Sequence, residues 1–258
     1  MLRLAVVVSI LISTVCAVAA TAPASDPFAI TLAQQSIAAL TGGNPVSDIT
    51  LNANLTSIVG ADYETGTATF QAKGTSESRV DLNLSSSGTR SDVRNVASGS
   101  PAGAWGTNGN SSTSFAPHNC WTDAAWFFPA LSSLTQTANQ NFVFKYIGQE
   151  QHGSVKTQHI RVYQSSSQNS PIPALSTMEF YLDAVSSLPI ALGFNLHPDN
   201  AMGTNLPIEI NFAKYQPVNG IQVAFHFQKV FNGLVVLDAT VTNASFNSGL
   251  ADTLFTLQ

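Results

Sequence analysis

The sequence predicts a mainly β protein with accessory helices: an incomplete, half-open antiparallel barrel of about eleven strands whose concave face is covered by helices. Three observations predict it. Apolar and polar residues alternate over a series of short runs between 49 and 246, the pattern of antiparallel strands with one dry and one wet face. The breaks between those runs are short and rich in Gly, Asn and Ser, as a meander requires. Two other stretches, 26–40 and 116–134, carry apolar residues at spacings of three and four, which is a helical period. A sheet that is dry on one side must bury that side. Two apolar helices plugging a half-open barrel would do so without full closure.

Residues 1–20 read as a secretory signal. Arg3 supplies a short positive start, 4–15 is apolar or small, and Ala17-Val18-Ala19 fits a small-x-small cleavage site. The apolar run is too short, and too poor in flanking charge, for a spanning helix. A lipoprotein reading would use Cys16, although Val15 before it is bulkier than such processing wants. The remainder, 21–258, is read as one domain.

Asp26 at the cap and Pro27 at the first helical position open a helix. Its apolar positions are Phe28, Leu32, Ile37 and Leu40, and Gly42-Gly43-Asn44-Pro45 ends it. From Ile49 the period switches to two, placing strands at 49–56, 67–72, 79–84 and 89–96. The last carries Arg90 and Arg94 with Asp92 between, on a side expected to face solvent or a cleft. Residues 97–115 are loop-rich, with one short strand at 102–106. Further strands are expected at 141–149, 154–164, 177–183, 189–197, 206–215, 221–231 and 234–246. Asn232-Gly233, between two alternating runs, predicts a tight hairpin with both residues at positive φ.

The central stretch A-P-H-N-C-W-T-D-A-A-W-F-F-P-A-L-S-S-L holds two of the three tryptophans. Trp121, Ala124, Ala125, Phe128, Leu131 and Leu134 predict a helix over 121–137 with a wide apolar stripe. Thr122 and Asp123 lie near its start, where acceptors satisfy free N–H groups. Pro129 imposes a kink or divides it in two.

Charged residues are 10% of the chain, against a usual figure of about 25%, and Ser, Thr, Asn and Gln stand in their place. The net charge is −5 with no basic run, so a nucleic-acid partner has no electrostatic support. With Cys16 removed alongside the signal, Cys120 has no partner in its own chain: it is a buried small hydrophobe, a reactive thiol or an intermolecular bridge. The four Asn-x-Ser/Thr sequons, at Asn54, Asn83, Asn110 and Asn243, are no more than this composition produces. His118 and Cys120, with Asp123 nearby, suggest a small hydrolase. Zinc, however, takes three or four ligands at characteristic spacings. His152, His159, His197 and His226 form no such spacing. No Gly-x-Ser-x-Gly elbow or phosphate-cradling loop is present, and no cofactor or metal is expected.

The order helix, four-strand meander, central aromatic segment, seven-strand run resembles the LolA/LolB/LppX-like superfamily of periplasmic lipoprotein carriers. The resemblance is sharpest in Ile210-Asn211-Phe212-Ala213-Lys214-Tyr215-Gln216-Pro217-Val218-Asn219-Gly220-Ile221, similar to that group's strand, tyrosine and x-x-x-Gly turn, and in Asp252-Thr253-Leu254-Phe255, similar to its D-x-x-F tail. It implies a cavity that shelters acyl chains, a periplasmic location, a lipid or acylated protein as partner, and a membrane-associated donor or acceptor. Family carriers place an arginine near the cavity mouth, a region comparable to Arg90 and Arg94. Each buried CH2 contributes about 0.8 kcal/mol, so a sixteen-carbon chain gains roughly 10 kcal/mol before entropic costs. The candidate lining is Phe70, Leu82, Trp105, Trp126, Phe128, Phe180, Leu192, Phe194 and Phe225, with Arg90 and Arg94 for a head group or lid. Set against this carrier reading is a structural or interaction β protein in which the same residues fill a core.

Overall fold

The structure, a computed structural model, describes residues 24–95, 101–167 and 169–256; the signal segment 1–20 and the loop 97–100 lie outside the described residues. Helix α1, Pro27–Thr41, begins where the Asp-Pro pair placed it. Asp26 does not cap it through its side chain; its carboxylate accepts from the Tyr146 N–H at 3.0 Å and ties the helix start to the sheet. The buried side is Ala29, Leu32, Ala33, Ser36, Leu40 and Thr41. Phe28, expected on that side, is half exposed and packs edge-on against Tyr146 at 4.9 Å. Gly42 ends α1 at φ +58, and a Cβ there would meet the Gly220 carbonyl at 2.8 Å. The helix thus stops against the turn at Asn219-Gly220.

Two groups of strands follow. The first is β1 (Asp48–Val59), β2 (Asp62–Lys73), β3 (Glu77–Leu84), β4 (Gly88–Asn95), β5 (Ala102–Thr107) and β6 (Thr113–Ser114). The second is β7 (Phe142–His152), β8 (Val155–Gln164), β9 (Met178–Asp183), β10 (Pro189–Leu196), β11 (Leu206–Val218), β12 (Ile221–Phe231) and β13 (Leu234–Phe246). All thirteen form one antiparallel sheet in the order β6-β5-β4-β3-β2-β1-β13-β12-β11-β10-β9-β8-β7, open and not closed into a barrel. This is the predicted mainly β, half-open class, with slightly more strands than expected.

The gap left between the first two expected strands, 57–66, is smaller than alternation suggested, because β1 and β2 pair from Asp48↔Lys73 out to Val59↔Asp62. Val59 and Tyr63 at that tip are each 76% exposed. A hairpin end with no core beneath it keeps its ladder but loses its dry face, so the period-two signal vanishes there. At the other hairpin the signal held: Asn232 and Gly233 have φ +47 and +81.

The topology has one consequence that matters for function. β1 and β13 meet in the middle of the sheet, while the two edges, β6 and β7, are consecutive in the chain. The segment between them must therefore cross from edge to edge. It does so through the concavity, where Phe127, Phe128, Ala130, Leu131 and Leu134 join the core built by β1, β2 and β8–β13. This crossing segment is not the predicted helix over 121–137. It is a succession of single 3-10 turns, Pro117–Cys120, Pro129–Leu131 and Ser133–Thr135, closed by i to i+3 bonds such as Phe128 N–H to Ala125 O and Leu131 N–H to Phe128 O. Pro129 lacks a donor, and Ser133 directs its N–H to the Asp123 carboxylate. Residues 122–125 and 127–134 are all buried, so the segment has no wet side. For a segment buried on every side, apolar residues at spacings of three and four do not by themselves decide between a helix and a succession of turns.

Candidate functional site

On β3 and β4 the inward register carries Ser78, Val80 and Leu82 opposite Arg94, Asp92 and Arg90. On β12 it carries Ile221, Val223, Phe225 and Phe227, and then Lys229. These strands stand on opposite sides of the concavity, and the crossing strap lies between them. The result is a hollow of about 210 Å³ lined by Val80, Arg90, Asp92 and Arg94 on one side, Phe194, Leu196 and Lys229 on the other, and Phe115, Asn119 and Trp126 from the strap.

The strap is fastened to both walls beside this hollow. Asn119 makes a two-way bond with His197 at the end of β10, its amide donating to the His197 carbonyl and its oxygen accepting from the His197 N–H, both at 2.8 Å. Three residues on, the Thr122 carbonyl accepts from Arg94 Nη2 at 2.9 Å. Within the strap, Asp123 accepts from the Ser133 N–H at 3.0 Å and from its hydroxyl at 2.9 Å. Burial nevertheless pushes the Asp123 carboxyl up to about 6, against those bonds and the field of Arg94.

Trp126 sits at the floor of the hollow, half-buried. Its ring meets Phe70 and Phe227 edge-on at 6.0 and 6.2 Å, and the Lys229 ammonium lies 4.8 Å over it. Burial holds the Lys229 amine below the usual lysine range; Asp92 opposes that shift, while Arg94 and Arg90 reinforce it. Arg90 donates to Asp92 at 2.9 Å and covers the Trp105 ring at 4.7 Å.

Of the residues singled out by sequence, the hollow brings together Arg90, Arg94, Trp126 and Phe194. Trp105 lies one layer away, under Arg90. Leu82 and Phe225 are partly buried at the margin of the core. Phe70, Phe128, Phe180 and Leu192 are at most 2% exposed and form the packed floor. Sequence reasoning missed Lys229, Asn119 and Asp92 as lining groups. The signal for Lys229 was present, since it is a charged residue in the inward register of an otherwise apolar run.

A hollow of about 430 Å³ between α1 and the strap has Ile37, Ala38, Pro45 and Leu134 in its lining, and two further hollows are more polar. A broader, open depression of about 610 Å³ over Gly66 is lined largely by Thr and Asn. A hollow of about 300 Å³ on the convex face lies over Gly193, between Glu179 and Glu209. Cys120 is 5% exposed; burial pushes its thiol up, against the pull of Arg94, which disfavours the nucleophilic thiolate. His118 packs on His197, ring centroids 6.0 Å apart. Among the described residues no group of three or more His, Cys, Asp or Glu is arranged to hold a metal, and no helix is long and apolar enough to cross a membrane.

The open antiparallel sheet of this chain is a LolA-like, half-open fold. Solved structures share it at low sequence identity. A putative outer membrane lipoprotein-sorting protein domain from Vibrio parahaemolyticus superposes with a TM-score of 0.58 and 12% identity, over 88% of this chain and 95% of that one. A DUF1329 family protein from Desulfovibrio piger gives 0.56 and 9%, over 92% and 98%. A LolA superfamily protein from Nitrosomonas europaea gives 0.55 and 8%, over 89% and 97%. No protein-family model and no curated protein sequence matches the chain.

Proposed function

We propose that this protein is an exported, periplasmic carrier or binding protein that shelters the acyl chains of a lipid or an acylated protein between its sheet and its strap, without catalysis. The observation that carries this reading is the way the concavity is closed. The strap is held at the mouth by a few polar ties, Asn119 to His197 and Arg94 to Thr122, with its own Phe127 packed on the strand aromatics Phe70 and Phe227 below. Releasing those ties would expose apolar surface in the place where an acyl chain would lie. The lipoprotein-sorting and LolA descriptions of the similarly folded proteins agree with it. The donor and acceptor would be membrane-associated.

A second reading has its own support. The hollow of about 210 Å³ is smaller than the roughly 300–1,000 Å³ typical of ligand pockets, and the floor is fully packed. A filled-core interaction protein would look the same. The two readings separate on lipid extraction and mass spectrometry of mature protein purified without detergent, together with displacement of a fluorescent fatty-acid probe. Stoichiometric lipid or displaceable probe, abolished in Trp126→Asp and retained in Thr50→Ala, supports the carrier. No lipid and no probe binding supports the filled core.

A further inference from the structure

We infer that the hollow between β4, β10 and β12 receives the anionic head group of an amphiphile, its charge among Arg90, Arg94 and Lys229 and its first methylenes along Trp126, Phe194 and Leu196. This rests on the carrier reading and adds the class of ligand. The lining holds three cations to one carboxylate, in a chain whose net charge is −5. That carboxylate, Asp92, is already engaged by Arg90. Arg94 donates to the neutral Thr122 carbonyl and hydroxyl, through one nitrogen. Lys229 has the face of Trp126 beneath it, and among the described residues no acceptor lies within hydrogen-bonding distance of its ammonium.

Cations gathered in a partly dehydrated hollow repel one another, and burial penalises each charge. Both costs register on Lys229. An anion placed among them would offset both by its attraction and accept the donors left free, forming the stronger, charge-assisted class of hydrogen bond. The three apolar side chains sharing the hollow are what distinguish an amphiphile from a free anion. If Lys229 instead only caps Trp126 by its cation–π contact, replacing it changes stability and leaves ligand choice alone.

The test titrates the mature protein with three fluorescent probes of one chain length, ending in a carboxylate, its methyl ester and a quaternary ammonium, and separately with inorganic phosphate. The carboxylate is expected to bind at least about tenfold tighter than the ester. Lys229→Gln and, at a more exposed position, Arg90→Gln should erase that preference while leaving ester affinity within about twofold; a cooperative melt certifies each variant as folded. Carboxylate affinity should be full while Lys229 is protonated and should fall as pH rises through its titration, which burial, Arg90 and Arg94 move below the ordinary lysine value against Asp92. Ester affinity should not change there.

Equal binding of acid and ester, or a preference that survives both substitutions, overturns the head-group inference and leaves the carrier standing. Phosphate binding lost in Lys229→Gln, with no amphiphile bound, makes the hollow a free-anion site and overturns the inference as well. No binding of any probe overturns both readings.

Discussion

The convex and concave faces of this sheet treat charge in opposite ways. On the convex face His159 lies between Glu150 and Glu179, at 2.5 and 2.8 Å, and Glu179 also accepts from Arg161 at 2.6 Å. Tyr181 stacks on His159 with centroids 4.4 Å apart. Asp238 accepts from Gln228 and pairs with His226, and Asp81 accepts from Arg79. Here the carboxylates Glu150, Glu179 and Asp238 find His159, Arg161 and His226 on adjacent strands, as solvated strand neighbours do, and Asp81 finds Arg79 on its own strand. At the concave mouth the cations outnumber the single carboxylate and face apolar walls. Strand-face pairing is the ordinary solution, and the lining of the mouth departs from it. The contrast extends to protons. Burial raises Asp123 within the concavity to about 6, whereas Glu179, which burial also pushes up, ends below its usual range because His159 and Arg161 donate to it.

The largest expected effect separates the packed floor from both charged regions. Phe70 is fully buried and touches Trp126, Phe127 and Phe227; Phe70→Ala should cost about 3–5 kcal/mol in denaturant unfolding. If it costs under about 1 kcal/mol, the floor is loose enough to admit a ligand without moving the strap.

The next effect tests the opposed titrations. Because Asp123 holds its proton more tightly folded than unfolded, its contribution is full below pH 3.8 and is lost as pH rises to about 6. Stability should fall by about 3 kcal/mol across that window, and Asp123→Asn should flatten the slope. Glu179 runs the other way. Its contribution is present above the ordinary glutamate pKa of 4.5 and is lost as pH falls through its lowered folded value. Glu179→Gln should cost about 1–3 kcal/mol at pH 7 and less on acidification, with lipid or probe binding unchanged. A loss of binding in Glu179→Gln would break the division between the faces. The smallest effect is Thr50→Ala, at a half-buried convex position with one 3.5 Å contact to Gln71; it should fall within about 0.5 kcal/mol of the parent.

Much of the fold was legible in local pattern. Alternation placed β12 and β13 with their bounds and put Arg90, Asp92 and Arg94 on one side of a strand. The Asp-Pro start of α1 and the Asn-Gly hairpin followed from backbone chemistry at single positions. The site was half legible. Arg90, Arg94, Trp126 and Phe194 were recognisable as candidates, because charge and large aromatics stand out in a chain so poor in charge. Lys229 was readable only once its strand's inward register was followed to the end.

What the sequence by itself determined is the period of each segment, the turns that demand positive φ, and therefore a sheet with one dry side. Only the tertiary structure decided that β1 closes on β13, that the strand edges are joined through the concavity, and that the aromatic crossing segment is a chain of 3-10 turns and not a helix. The reason is physical. Periodicity records which side of an element is wet, and a segment buried on every side carries no such record. The meeting of Arg94, Lys229 and Trp126 depends on the one long-range pairing, β1 with β13, as at Ile49 and Phe246, and on the strap that spans the edges, not on any local preference.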